Sequence, residues 1–217
     1  MASQYGLKEV ADVYFVEINN DNKADLFTGD KMNTITAAVN TAGDALEFTI
    51  GSKKVLDPDS SDTTGIKAAF KFNSLKTSNI EVASEETTAK GGKGNPELIS
   101  WSYGKTATLT ITDALLTPGT LALMYGGKKS GTTITIDGKT FPNNYIILGT
   151  TLLRPLEGGD DQPFGFVLPK GKVNVGGTLT MEAEGDPSTF EMSIKALAQD
   201  FSGADDVLLQ FIVPSGN

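Results

Sequence analysis

Apolar and polar residues alternate with a period of two along most of this chain, the pattern of strands that bury one face. Val13, Phe15 and Val16 mark a strand over residues 12–18, and Asn19, Asn20, Asp21 and Asn22 signal the turn after it. Within residues 28–51, Ile35 falls either in a helical turn with Ala38 and Val39 or in a strand, whereas Leu46, Phe48 and Ile50 alternate cleanly. Ala68, Phe70 and Phe72 alternate next, and Ile80 and Val82 repeat the pattern. The longest expected strand covers residues 98–111, with Leu109 and Ile111 on one face and Thr108, Thr110 and Thr112 on the other. Residues 132–141 read as a hairpin in which Asp137 and Gly138 supply a two-residue turn. Strands are also expected over residues 145–153, 164–168, 172–184 and 190–198, with a tight turn at Gly185, Asp186 and Pro187. Residues 207–213 are almost wholly apolar, so they read as an internal strand covered on both faces, with a donor strand covered by another subunit as the alternative.

One segment breaks the period-two rule. Thr117 as cap, Pro118 as first residue, Leu121 and Met124 as apolar face and Gly126–Gly127 as stop predict a short helix within residues 115–125. Residues 84–95 are polar and glycine-rich and read as a long mobile loop ending in Lys90, Gly91, Gly92, Lys93, Gly94 and Asn95. Roughly ten strands and one helix result, with no linker and no repeat of fixed period. The predicted fold is mainly β: one antiparallel β-sandwich or half-barrel with a flanking α-helix, spanning residues 1–217 as a single domain.

Composition narrows the chemistry. Of the 217 residues, 39% are hydrophobic, and 24 are glycine, which suits a β-rich fold with many turns. Net charge is −9, from 27 acidic and 18 basic residues, the wrong sign for tight nucleic-acid binding. Cysteine and histidine are absent, which removes disulfides, thiolate metal sites and every Ser-His-Asp or Cys-His device. The first residues lack the basic-then-apolar pattern of a secretory signal, and no apolar run approaches the roughly 20 residues of a membrane helix. Folding in a cytoplasm, with no membrane partner, is the expectation.

Individual motifs have plain explanations. Gly138, Lys139 and Thr140 imitate the end of a phosphate-binding loop, but Thr133 stands where its first glycine belongs. Residues 19–25 and 57–62 are oxygen-rich without matching a calcium loop. Glu81, Glu85, Glu86, Glu182 and Glu184 read as a solvated acidic face rather than a glycosidase pair. Trp101 and Tyr103 read as core or interface anchors. No cofactor and no enzymatic activity are expected.

Three blocks resemble the tail tube (major tail) proteins of long-tailed bacteriophages. They are residues 75–81 with the glycine-rich residues 89–96; residues 98–124, centred on Asp113, Ala114, Leu115, Leu116, Thr117 and Pro118; and residues 166–173 leading to residues 179–191. The first sixty-odd residues fit less well, so residues 1–65 are expected to be a lineage-specific face or an insertion.

The resemblance implies a virion structural protein. Six copies would join inner strands into a β-barrel ring, and rings would stack into the hollow tube through which the genome is ejected. Lys90, Gly91, Gly92, Lys93, Gly94 and Asn95 would form a subunit-bridging loop, its lysines meeting an acidic neighbour. Some of Glu81, Glu85, Glu182, Glu184 and Asp186 would line the channel and keep DNA moving by repulsion. Implied partners are other copies, the tape measure, terminator and baseplate proteins, a sheath where one exists, and DNA in transit. Two readings stay open beside this one: another β-rich virion part (capsid decoration, tail terminator or baseplate hub), and a carbohydrate-binding or adhesin-like β-sandwich.

Overall fold

The structure is a computed structural model and describes residues 4–115, 117–176, 189–201 and 203–213. The chain opens with strands β1 (Tyr5–Leu7) and β2 (Asp12–Glu17) and a single helical turn, α1 (Lys23–Leu26). Short strands follow: β3 (Phe27–Thr28), β4 (Lys31–Met32), β5 (Ile35–Val39), β6 (Leu46–Ile50), β7 (Lys53–Leu56), β8 (Ile66–Lys67) and β9 (Phe70–Phe72). Two long strands, β10 (Leu75–Lys90) and β11 (Glu97–Asp113), lead to helix α2 (Pro118–Tyr125) and the small hairpin β12 (Lys128–Ser130) and β13 (Thr133–Thr135). The central strands β14 (Asn144–Pro155) and β15 (Gln162–Val173) come next. Strands β16 (Phe190–Ala196), β17 (Gln199–Phe201), β18 (Ala204–Val207) and β19 (Gln210–Ile212) complete the described chain, in which no helix is long and apolar enough to cross a membrane.

The main sheet runs β10-β11-β16-β15-β14-β2-β9, with β1 added to β14 and β19 to β15. All its pairings are antiparallel. Its inner face joins one cluster that takes Leu109 and Ile111 from one side, Phe15 and Phe72 from the other, and Leu123 and Met124 from α2. One eight-residue helix cannot cover a face seven strands wide, so the sheet curls to cover itself, and its end strands stay unjoined. This is the expected mainly β half-barrel with a flanking helix. The predicted cap is present: Thr117 and Thr120 form a reciprocal capping box, Pro118 is the first residue, and Gly126 ends the helix in a left-handed conformation. The buried residues of α2 are Thr120, Ala122, Leu123 and Met124, while Leu121 is half-buried.

A second core lies on the back of β14 and β15. Tyr145 and Ile147 point into the first cluster, whereas Ile146 and Leu148 point into a second, with Val16, Val167 and Phe201. The sheet β5-β6-β7-β8 and the strands β3 and β4 supply its cover through Met32, Ile35, Leu46, Phe48 and Ile50. Sheet packs on sheet here, so the architecture combines sandwich and half-barrel. Side chains pack directly over two glycines: a Cβ at Gly149 would strike the Phe166 ring, and one at Gly165 would come 2.7 Å from Leu46 Cδ1.

Several sequence expectations need correction. Residues 84–90 are strand, the outer part of β10, and only residues 91–96 turn. The hairpin expected to close at Asp137 and Gly138 closes at Gly131 instead, between β12 and β13. Asp137 accepts the amides of Lys139 and Thr140 at 2.8 and 2.7 Å, an Asx turn that uses the same residues differently. Residues 207–213 form no single internal strand: β18 ends at Val207, β19 begins at Gln210, and Phe211 and Val213 are each 56% exposed. Ile35 lies in a strand, and residues 66–72 split into β8 and β9. The strands expected over 164–168 and from 172 onward are one strand that ends at Val173. The turn at Gly185, Asp186 and Pro187 lies outside the described residues.

An ionic clamp pins the first strand. The Arg154 guanidinium donates to both oxygens of Asp161 at 2.9 and 3.1 Å, and Lys8 Nζ donates to Oδ2 at 2.5 Å. These bonds, from Arg154 above all, hold the Asp161 carboxyl down at about 2. A depressed carboxyl stabilises the fold above its ordinary pKa, and that contribution fades as pH falls from 3.8 through about 2.

Two predictions follow from this packing. Gly149→Ala lowers stability by about 2 kcal/mol, because the Phe166 ring has no room to yield. A thermal melt reads this as a fall of about 4–8 °C, and an unchanged Tm would refute the tight fit. In acid, the β1 amides lose hydrogen-exchange protection over the same window from 3.8 to about 2. Asp161→Asn removes that step and leaves β1 poorly protected at neutral pH.

Candidate assembly surface

Strands β10 and β11 form a two-stranded ribbon with two distinct halves. In the inner half, Thr108–Asp113 of β11 also pairs with β16, and Ala107, Leu109 and Ile111 are buried. Its base is fixed by the buried Asp113, whose Oδ1 accepts Ser74 Oγ at 2.9 Å and the Leu115 amide at 3.0 Å. In the outer half, every residue of β11 from Glu97 to Thr106 is exposed, and among the described residues β10 is its only strand partner. A bulge separates the halves: Ala83 faces Thr106 and Glu85 faces Tyr103, which leaves Gly104 as an extra residue at φ +62. Glycine takes that conformation freely, and the bulge bends the ribbon and re-aims its outer half.

The register assigns the arm's two faces. Glu85 with Tyr103, Thr87 with Trp101, and Ala89 with Ile99 lie on one face. Glu86 with Ser102 and Thr88 with Ser100 lie on the other, where the Ser100 hydroxyl donates to the Glu86 carboxylate. One face therefore carries Ile99, Trp101 and Tyr103 with Glu85 and Thr87, and the other is polar apart from Leu98 near the tip. Ile99, Trp101 and Tyr103 are 56%, 52% and 53% exposed, so the core half of the anchor expectation fails and the interface half is what the geometry suits. Among the described residues no strand pairs the outer edge of β10 or the inner edge of the outer half of β11. Those edges carry unpaired backbone donors and acceptors, the groups another strand would pair.

The other expected site residues fall as follows. Lys90 ends β10 and lies 3.5 Å from Glu97, so its ion pair is made within the arm. Gly91, Gly92, Lys93, Gly94 and Asn95 make the tip, an ordered turn in which Gly91 N donates to Pro96 O and Asn95 N to Gly92 O, both at 3.1 Å. Glu81 is exposed on the inner half, on the outward face with Thr108, Thr110 and Thr112. Glu85 stands beyond the bulge and belongs to the arm. Glu182, Glu184 and Asp186 lie outside the described residues. The described residues contain no cluster of acidic side chains that could hold a metal ion. What this surface offers is backbone edge and apolar face, the means of association rather than of bond-making. Sequence reasoning expected the strand over residues 98–111 but missed its partner over residues 84–90, and with it the arm; it named Asp113 only within a resemblance block and not for the hydrogen bonds it accepts.

The body is thus a curled, open-edged β half-barrel with a projecting ribbon. The signature of the YomU/Tube protein family matches residues 53–129 and 120–207, more than two thirds of the chain, which therefore belongs to that family. Membership accords with the tail-tube resemblance and makes the chain a tube-type structural component of a phage tail. No curated protein matches the sequence.

Because the aromatic face contributes nothing to the body's core, Trp101→Ala shifts the stability of the free chain by less than about 0.5 kcal/mol. Phe15→Ala, in the core, lowers it by about 3–5 kcal/mol. Denaturant unfolding compares the two. A large loss from Trp101→Ala would show the arm to be folded back on its own body.

Proposed function

We propose that this chain, acting as one tail-tube-like domain, polymerises as stacked hexameric rings into the hollow tube through which a phage genome is ejected. The carrying observation is the β10–β11 ribbon, a preformed two-stranded element with open edges in a tube-family chain. Half-barrels joined edge to edge around a six-fold axis would satisfy those edges and close the sheet, as barrels do. The outward face of β10, β11 and β16 would then form the channel wall. It carries Asn79, Glu81, Thr108, Thr110, Thr112, Glu191, Ser193 and Lys195, short hydroxyls with mixed charge. Such a wall lacks the run of cations that would hold phosphates. Of the acidic residues expected at the lumen, Glu81 suits this face, Glu85 is better placed on the arm, and Glu182, Glu184 and Asp186 remain candidates from sequence. The tip residues Lys90 to Asn95 would reach a neighbouring copy. The tail of the virion, assembled in the host cytoplasm, is the proposed location; tape measure, terminator and baseplate proteins are the proposed partners beyond other copies.

Negative-stain microscopy of the purified chain tests the reading: tubes or six-fold rings with a central hole are expected, and persistent monomers that bind glycans would overturn it. In phage carrying Glu81→Lys, tubes should form normally while genome ejection slows; an unaltered ejection rate would remove Glu81 from the wall.

A further inference from the structure

Strands β6 and β7 leave their connecting turn as a ladder of only two pairs, Ile50 with Lys53 and Thr49 with Lys54. Phe48 and Val55 come next in the two strands and do not pair. β6 stays with β5, β7 turns to β8, and the two strands fork. A cavity of about 420 Å³ opens in the fork, with residues 45–48 on one side, residues 54–57 on the other and Tyr14 of β2 as its floor. That volume falls within the range of small-molecule sites. Its lining is polar and of mixed sign. Glu47 and Lys54 form an ion pair at 2.9 Å. Asp57 lies 3.1 Å from Lys71 Nζ, which also stands 5.0 Å from the centre of the Tyr14 ring. Asp59, exposed at the rim, adds a third carboxylate.

This chemistry selects among ligands. Three carboxylates against the ammonium groups of Lys54 and Lys71 repel an anion. A cation finds two of the three carboxylates already paired. An apolar ligand would strip water from both ion pairs and give nothing back. A neutral ligand that both donates and accepts hydrogen bonds breaks no pair. Glu47 and Lys54 set an acceptor beside a donor, at a spacing close to that of neighbouring hydroxyls on a pyranose ring. One hydroxyl can donate to the carboxylate while its neighbour accepts from the ammonium. Tyr14 and Val55, both half-buried, offer apolar surface to the C–H face of such a ring.

We infer that the fork between β6 and β7 binds one unit of a neutral saccharide, with Glu47, Lys54 and Asp59 holding its hydroxyls over Tyr14. The site shares no residue with the arm or with the outward face of β10, β11 and β16, so sugar binding and self-association are separable. In the proposed polymer each copy would carry one such site, and repetition along the tube would multiply a weak single-site affinity.

Saturation-transfer NMR of the full chain with free glucose, galactose, mannose and N-acetylglucosamine tests the site. Transfer to at least one of them is expected, with a dissociation constant on the order of 1 mM, because so few atoms are bound. Glucuronate and trialanine serve as charged and peptide probes, and both should bind more weakly than that sugar. Glu47→Ala with Asp59→Ala, both at exposed positions, should weaken sugar binding at least about tenfold with the melting temperature unchanged. Three results would each overturn the inference: no transfer to any of the four sugars, an unaltered affinity in the double variant, or tighter binding of trialanine, which would make the fork a slot for a strand. Tubes that bind no sugar would leave the tube reading standing; a chain that binds sugar and never polymerises would sink that reading and keep this one.

Discussion

The burial of β14 and β15 on both faces is the constraint from which the rest of this molecule follows. Residues 145–148 are apolar at every position, and alternate side chains must go to opposite sides of the sheet. Each side then needs a cover. On one side the sheet curls round its own inner face, and α2 fills the gap that curling leaves. On the other side a separate layer built from β3 to β8 supplies Met32, Ile35, Leu46, Phe48 and Ile50. Burying each such side chain is worth roughly 1.5–3 kcal/mol, so neither cover is dispensable. Gly165 is where the Leu46 side chain of the covering layer comes too close for a Cβ, and Gly149 is where the Phe166 ring of the neighbouring strand lies across the backbone.

Cover runs out at β16. Beyond it, the outward face of β11 and β10 carries threonine, asparagine and glutamate, as a face left to solvent should. Past the bulge at Gly104 even the inward face loses its core. A two-stranded ribbon alone is marginal in water. This one is continuous with an anchored inner half, and Asp113 ties its base to Ser74 and the Leu115 amide. A preformed arm meets a partner with less ordering still to be done than a mobile loop would, and the entropy lost on association falls accordingly.

Which elements were readable in the sequence follows from where their determinants lie. Strands β2, β6 and β14 and the helix α2 were visible because alternation, Thr117, Pro118 and Gly126 act within a few residues of one another. Residues 84–90 were not, because a strand exposed on both faces has no hydrophobic period; pairing with residues 97–103 makes it a strand, and composition is silent about pairing. Asp137 and Gly138 signalled a turn correctly but not its kind, since the Asp137 carboxylate captures two amides and leaves the hairpin to Gly131. In residues 207–213, Leu208 and Leu209 pack sideways on the first core and break the run that looked continuous. At the candidate surface, Trp101 and Tyr103 were marked as anchors by type alone. The cavity in the fork of β6 and β7 was hidden because Tyr14, Glu47, Val55 and Asp59 come together only in the fold.

The boundary of the family match bears on the same geometry. The match begins at residue 53, so β3 to β6 fall before it. Their side chains nevertheless cover Ile146, Leu148 and Val167, which lie inside it. The N-terminal layer is thus not an appendage to a complete body; it closes a core that the matched part leaves open. It also sits behind β14, β15 and β2, whereas the uncovered polar face belongs to β10, β11 and β16 at the other end of the curled sheet. In the proposed ring, a channel lined by that polar face puts the N-terminal layer away from the axis. The outer surface of such a tube would be built in part, through β3 to β6, from residues outside the family match, whereas the wall and the arm lie within it.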